Sequence, residues 1–305
     1  MAQGGGTNNK YRTVILGSGN IGTDLLMKIM KSDYLKCVGF VGRTNNSAGM
    51  IKALNLGIQI SDKSINYIEE NADNIDLVFD ATSVKAHRVN SIIYKRIGVK
   101  CIDLTPSKIG PMCVPSVNSQ ECLNEMNISM ISCGGQASIP IAMAVANCHK
   151  DIEYLEVVSS ISSKSAGPAT RQNLDEYIKT TSEGLKHFSL AKKTKAILIL
   201  NPAVPHIDMV TTILSKVKKP NLIKLKKELD SILIKVQSYV PGYELILGPK
   251  FENNRIVIML RIRGLGDYLP KYAGNLDIIN CAAIAMAEEY AKNKFNEKKY
   301  ENTDE

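Results

Sequence analysis

The sequence predicts an α/β protein: a Rossmann-type dinucleotide-binding domain joined to a second, α+β domain. Three observations carry this. A β-branched run, Thr13-Val14-Ile15-Leu16, leads directly into Gly17-Ser18-Gly19-Asn20-Ile21-Gly22. Short apolar runs then alternate with helix-like stretches, the pattern of a mostly parallel sheet. Beyond residue 151 the texture changes to longer strands and one amphipathic helix.

Taken in order, Thr13 to Leu16 is the first strand, and Thr23 to Met30 reads as the helix after the glycine turn. Leu35 to Val41 is a second strand, completing a first βαβ unit. Asp76 to Thr82 and Val99 to Thr105 read as further parallel strands, and Ile128 to Ser132 as the last of them. Ile139 to Asn147 is helix-like. Glu153 to Ser163 is a strand, Thr170 to His187 a helix and Lys195 to Leu200 a strand. Leu222, Leu225, Leu229, Ile232, Leu233 and Val236 recur at helical spacing between lysines, an amphipathic surface helix rather than a membrane anchor. Tyr243 to Leu247 and Arg255 to Ile262 read as antiparallel strands, and Asp277 to Lys294 as a final helix. Asn296 to Glu305 is polar and expected to fray, and Met1 to Lys10 reads as a disordered leader. The expected division is 1–132 with 275–305 for the dinucleotide-binding domain, and 133–274 for the α+β domain.

Composition narrows the function. The chain of 305 residues is 44% hydrophobic, enough for a substantial core. No apolar run reaches the roughly 18 residues that span a bilayer, and the N-terminus lacks the apolar core of a signal peptide. A cytoplasmic protein with no membrane partner is expected. The seven cysteines form no C-x-x-C pair, and the four histidines form no ligand cluster. A disulfide framework and a metal site are therefore not expected. The net charge of +8 suits anionic small ligands such as dinucleotides or coenzyme A. With aromatics at 6% and the lysines dispersed, no nucleic acid partner is expected.

Gly17-x-Gly19-x-x-Gly22 lies after a strand and opens a helix, the context that a dinucleotide fingerprint requires. Gly17 makes the tight turn, Gly19 admits the pyrophosphate and Gly22 allows close helix–strand packing. The second strand ends in Val41-Gly42-Arg43-Thr44 without the acid that binds the ribose hydroxyls of NAD. Arg43 faces either a 2′-phosphate, favouring NADP, or solvent, leaving NAD in use; both readings stand.

Ser132-Cys133-Gly134-Gly135-Gln136-Ala137 places one cysteine between an apolar run and a helix. Gly134 and Gly135 would form a turn of positive φ, and the helix N-terminus would favour the thiolate of Cys133. A buried, inert cysteine at a tight turn is the alternative. Ser163 to Arg171 is a loop of small residues whose N–H groups and hydroxyls can converge on a cofactor.

Together these segments resemble the acylating acetaldehyde dehydrogenases of aromatic meta-cleavage pathways. The resemblance rests on Gly17 to Asp24, Phe79 to Ser83, Ile102 to Pro106, Cys133 to Ala137 and Ser163 to Asn173. It continues through Asn201-Pro202-Ala203, Tyr239 to Tyr243 and Tyr268 to Asp277, from about Tyr11 to about Ala291 in order. The resemblance implies oxidation of acetaldehyde with NAD and coenzyme A to acetyl-CoA and NADH. It implies Cys133 as the acyl-thioester cysteine. It also implies cofactor contacts from Ser18 to Ile21, from Ser165, Ala166, Gly167, Pro168, Ala169, Thr170, Arg171, Gln172 and Asn173, and from Asn275. A homodimer within a complex with a 4-hydroxy-2-oxovalerate aldolase is implied too.

The chain departs from the family in three places. The second-strand acid is absent, and Ala169 replaces a glycine. Thr211 stands where the family carries an aspartate that assists the cysteine, leaving Asp208 or His206 as substitutes. Two rival readings follow: a semialdehyde or phosphorylating dehydrogenase using Cys133 alike, and a nucleotide-binding partner subunit that has lost catalysis.

Overall fold

A computed structural model describes residues 10–301; the leader expected over Met1 to Lys10 lies almost wholly outside the described residues. The first half alternates strand and helix: β1 (Tyr11–Leu16), α1 (Asn20–Ile29), β2 (Leu35–Val41), α2 (Ala48–Asn55), β3 (Ile60–Ser61), α3 (Ile65–Glu70), β4 (Leu77–Asp80), α4 (Val84–Ile97), β5 (Lys100–Asp103), α5 (Pro115–Cys122) and β6 (Asn127–Ser129). The six strands form one parallel sheet in the order β3-β2-β1-β4-β5-β6. The order reverses between β1 and β4, so a crevice opens at their carboxyl ends, where such sheets bind ligands.

The second half begins with α6 (Cys133–Cys148) and β7 (Ile152–Ser162), then α7 (Pro168–Gln172), α8 (Leu174–Ser189), β8 (Thr194–Asn201), β9 (Met209–Val217), α9 (Leu222–Gln237), β10 (Tyr243–Glu252), β11 (Arg255–Ile262) and α10 (Gly274–Glu301). Its sheet is mixed, in the order β10-β11-β9-β7-β8, with β7 and β8 parallel and the remaining pairs antiparallel. The α/β class, with a Rossmann-type parallel sheet and a second mixed sheet, is what the structure shows.

Two helices tie the halves together. Helix α6 is apolar almost all round, and Ala137, Ile139, Ile141, Ala142 and Val145 pack into the core beneath the mixed sheet. In α10, Ile278 and Cys281 face that same core, while Ile279, Ala282, Ala283 and Met286 face the core under the parallel sheet. A helix flanked by two cores needs apolar residues on more than one side, so it has no clean amphipathic pattern.

Several elements differ from the sequence expectation. The last parallel strand stops at Ser129 rather than Ser132, because the chain turns at Ile131, whose φ is +67°. Helix α6 starts at Cys133, so Gly134 and Gly135 lie in its first turn and have no positive φ. The helix expected from Thr170 to His187 is two helices, α7 and α8, with Asn173 at the break. Helix α10 runs through Glu301, past the point where fraying was expected, on a stretch of good helix formers.

Candidate active site

At the end of β1 the chain turns through Gly17, with φ +127°; a Cβ there would lie 2.5 Å from the Ala81 carbonyl oxygen. A Cβ on Gly22 would lie 1.8 Å from the Gly17 carbonyl oxygen, so this position takes glycine for close helix–strand packing. Gly19 is different: nothing lies within 4 Å of its missing side chain. Gly19 is also the N-cap of α1 and offers no side-chain cap. The first N–H groups of α1 therefore face open space, an arrangement that accepts phosphate. Beside this turn Ser18 accepts a hydrogen bond from Ser47 at 3.0 Å, and Asn20 is exposed.

A cleft of about 700 Å³ opens where the two halves meet. Ile21 lines it from α1, Ala81 to Val84 from the end of β4, and Leu104 to Pro106 from the end of β5. Cys133, Thr170, Asn173, Tyr177 and Asn275 line the facing side. Five residues singled out in the sequence, Ile21, Cys133, Thr170, Asn173 and Asn275, thus share one cavity although they come from four helices and a helix break.

Asn275 is 1% exposed, and neither its amide nitrogen nor its amide oxygen has a partner within the protein. A buried primary amide without hydrogen bonds costs free energy unless a ligand completes it. A carboxamide such as that of nicotinamide offers the matching donor and acceptor. The open amides above Gly19 and the unpaired Asn275 amide together fit a nicotinamide dinucleotide.

The rest of the segment from Ser165 to Asn173 divides. Ser165 is buried, and its hydroxyl donates to the Ser162 carbonyl at 2.8 Å. Arg171 ties the loop to itself through Ala166 O and Ser163 O, at 3.0 and 2.9 Å. Arg171 and Gln172 are exposed, and none of Ser165, Ala166, Gly167, Arg171 and Gln172 lines the cleft. Gly167 caps α7, which starts at Pro168 and includes Ala169. Arg43 is exposed just past β2.

Cys133 is the first residue of α6 and is half-buried. Ser132 caps the helix by accepting from Gly135 N at 2.9 Å, and shares a 2.7 Å hydrogen bond with Thr181. Gln136, in the same motif, donates to the Cys113 carbonyl at 2.7 Å and the Met130 carbonyl at 3.0 Å. That amide ties α6 back to the residue before Ile131 and to the separate segment at Cys113; Ile131 itself is a buried β-branched residue in the left-handed region, which is a strained conformation. The glycines are required by neighbours rather than by turning: a Cβ on Gly134 would lie 2.2 Å from Tyr177 Oη, and one on Gly135 would lie 2.8 Å from Ile131 Cγ2.

The electrostatics at the sulfur oppose one another. Burial pushes the Cys133 thiol up to about 11, against hydrogen bonds from the Tyr177 side chain and the backbone N–H groups of Gly134 and Cys133. The expected helix-terminus effect is present in those amides, yet desolvation outweighs it in the free protein.

Thr211 and its two expected substitutes fall in different places. Thr211 is fully buried on β9 and shares a 3.0 Å hydrogen bond with Ser159 on β7. His206 packs on the Tyr272 ring with centroids 4.7 Å apart, and Asp208 interacts with Arg261. Neither His206 nor Asp208 lines the cleft.

Sequence reasoning missed Tyr177 and Gln136. Tyr177, Thr181, Gly184 and Leu185 form one stripe of α8 that packs toward α6. Their three- and four-residue spacing was the readable signal. Among the described residues no cluster of three or more His, Cys, Asp or Glu could hold a metal ion, and no helix is long and apolar enough to cross a membrane.

A crossover-ordered parallel sheet, a glycine turn with open helix amides and a cysteine at a facing helix N-terminus are the features of a nucleotide-dependent enzyme with a thiol in its cleft. Over 281 residues the chain is 61% identical to an acetaldehyde dehydrogenase of Spirochaeta aurantia, covering 92% of this chain and 95% of the relative. It is 53% identical to an acetaldehyde dehydrogenase of Pectobacterium atrosepticum, covering 92% and 96%. Residues 133–270 match the family model described as prokaryotic acetaldehyde dehydrogenase, dimerisation. The fold is similar to that of the crystal structure of aspartate semialdehyde dehydrogenase II from Vibrio cholerae, with a TM-score of 0.60 at 14% identity over 92% of this chain and 98% of that one. The chain belongs to the acetaldehyde dehydrogenase family and is an oxidoreductase.

Proposed function

We propose that this enzyme is a CoA-acylating aldehyde dehydrogenase that oxidises acetaldehyde, or another short aldehyde, with NAD and coenzyme A. The observation that carries the reading is the shared cleft: Cys133 opens α6 on one side, and the unpaired amide of Asn275 is buried in the same cavity. Bound nicotinamide supplies the hydride acceptor. Asn275 would hold its carboxamide, and the open N–H groups of α1 would hold the pyrophosphate. The Cys133 thiolate adds to the aldehyde carbonyl to give a thiohemiacetal, whose oxyanion is stabilised by N–H groups at the α6 terminus. Loss of hydride from that oxyanion leaves a neutral acyl thioester on Cys133. The coenzyme A thiol then takes the acyl group, and Cys133 is freed with its sulfur reduced as before.

The division into 1–132 with 275–305 and 133–274 belongs to this proposal, as does a homodimer built on the second unit. The family-model description and the apolar side chains of Ile199 and Ile246, exposed on the mixed sheet, support the dimer. The aldolase partner, the aromatic-catabolic setting and the cytoplasmic location rest on the family resemblance and the composition.

Reduced-nicotinamide absorbance tests the reading. Purified protein with acetaldehyde, NAD and coenzyme A should produce it, and Cys133→Ala should not. Equal production with phosphate in place of coenzyme A would move the assignment to a phosphorylating dehydrogenase. No production by folded protein with NAD or NADP would favour a non-catalytic subunit.

A further inference from the structure

The Cys133 sulfur has one side-chain hydroxyl against it. Tyr177 Oη lies 3.6 Å from Sγ, within hydrogen-bond reach for sulfur. The phenol is buried, and the missing side chain of Gly134 is what lets it approach so closely. Behind it stand two more hydroxyls: the Ser159 hydroxyl is close enough to pull the phenol's pKa down, and Ser159 Oγ lies 3.0 Å from Thr211 Oγ1, where either can donate. Ser159 and Thr211 are buried on adjacent strands of the mixed sheet, directly opposite one another. The catalytic steps above use none of the three.

We propose that Tyr177 is a catalytic residue that donates its phenolic hydrogen to the Cys133 sulfur as the thiol ionises, with Ser159 and Thr211 as a reversible hydroxyl chain behind it. A hydroxyl both donates and accepts, so the chain has two directions. With the thiol protonated, S–H donates to Tyr177 Oη, Tyr177 to Ser159 and Ser159 to Thr211. With the thiolate, Thr211 donates to Ser159, Ser159 to Tyr177 and Tyr177 to S⁻. The hydroxyls rotate and keep their hydrogens. The thiol proton leaves to solvent water at the half-buried sulfur, and no carboxylate at position 211 is needed. Tyr177 acts as donor and not as base, because burial and the neighbouring Cys133 hold its phenol well above its usual range.

The inference deepens the proposed reaction and rests on Cys133 as nucleophile, but its test needs no turnover. The readout is the rate of iodoacetamide alkylation at Cys133, followed by peptide mass spectrometry between pH 7 and 9, with Cys133→Ala fixing the peptide assignment. Below the thiol pKa the rate follows the thiolate fraction, and one pKa unit is a tenfold change. Tyr177→Phe should slow alkylation about tenfold at every pH, with its thermal unfolding close to that of the parent. Ser159→Ala should slow it by a smaller factor. A purely space-filling tyrosine predicts the opposite sign, since removing its hydroxyl widens access to the sulfur. An unchanged or faster rate in Tyr177→Phe overturns the proposal. Should that variant fail to fold, an unchanged rate in Ser159→Ala overturns it. Failure of the CoA-dependent assay alone would count against the reaction and leave this relationship standing.

Discussion

Asp24 of α1 accepts a hydrogen bond from Asn280 of α10 at 2.9 Å, with both side chains fully buried. The same carboxylate accepts from the backbone N–H groups of Tyr268 and Leu269 at 3.3 and 3.4 Å. It also lies 3.1 Å from Lys28, whose ammonium is shared with Asp267 and Asp277 at 2.9 and 2.7 Å. Asn280 donates in addition to the Ile21 carbonyl at 3.2 Å, at the edge of the cleft. This buried cluster fixes α10, and with it Asn275, against the glycine turn. Asp24→Ala leaves a buried ammonium and three donors short of a partner, which costs about 3–5 kcal/mol. Urea unfolding should show that loss, together with weaker dinucleotide binding. Parent-like stability would mean that other contacts hold α10.

The two outer glycines of the fingerprint should respond differently from the middle one. A side chain at Gly22 meets a backbone oxygen that cannot retreat, so Gly22→Ala should destabilise the fold and abolish nucleotide binding. Gly19→Ala meets nothing in the protein, so the fold should be kept while the pyrophosphate loses its close approach. Titrating NADH fluorescence against each variant, beside thermal unfolding, separates the two. Equal loss of stability in both would contradict the packing difference.

Much of this was readable in the sequence, for reasons that differ by element. Strand β2 carries a short apolar run from Cys37 to Val41 and ends where expected, at Val41. Helix α4 was missed although Ser83 caps it through Ala86 N and Gly98 ends it in the left-handed conformation. Both signals stand in the sequence, but the helix between them is polar enough to lack a strong apolar stripe. Strand β9 was also overlooked, despite alternating burial along its length. The bend at Ile131 was not legible at all. It exists because Gln136 reaches two carbonyls that come together only in the folded chain. The cysteine, the glycine turn and Asn275 were each legible as motifs, whereas Tyr177 was not. Its importance comes from a neighbour on α6, and helical spacing alone gives no partner.

Cys133 should be sluggish in the free enzyme and quicker with oxidised cofactor. Burial holds the thiol at about 11, so only a small thiolate fraction exists near neutral pH. The oxidised nicotinamide ring is cationic, and a positive charge beside a thiol favours its ionisation. Saturating NAD should therefore raise the alkylation rate of Cys133 several-fold at pH 7.5 unless it blocks access, whereas NADH, with a neutral ring, should not. A fast rate without cofactor would show that the helix-terminus amides already outweigh burial.

A buried ionic cluster beneath the cleft should make stability fall as pH rises past neutrality. His87 of α4 lies between two carboxylates at the ends of neighbouring strands: Nδ1 is 2.9 Å from Asp80 and Nε2 is 3.5 Å from Asp103, all with no exposure. Asn90 and Tyr94 also donate to Asp80, and Ser107 and the Thr105 N–H to Asp103, while Asn127 lies 3.1 Å from His87 Nε2. Burial alone would lower His87, but the Asp80 hydrogen bond and both carboxylate charges outweigh it and raise it above 6.5. Burial lifts Asp103 to about 6 despite His87 and its hydroxyl partners. For both groups the folded state binds protons more tightly than the unfolded chain. Their stabilisation is complete below the unfolded values and fades as pH rises, from 3.8 to about 6 for Asp103 and above 6.5 for His87. Asp80 runs the other way, since burial is outweighed by its His87 hydrogen bond and its pKa is lowered, so its share is lost below 3.8. Urea midpoints at pH 5, 6, 7 and 8 should therefore decline with pH in the parent. His87→Gln should be less stable at pH 5 and flatter above pH 6.5, because the group whose proton is lost there is gone. Parallel profiles for the two proteins would show that the imidazole stays neutral between its carboxylates, and that the hydrogen bonds from Thr82, Asn90 and Tyr94 hold Asp80 ionised without its charge.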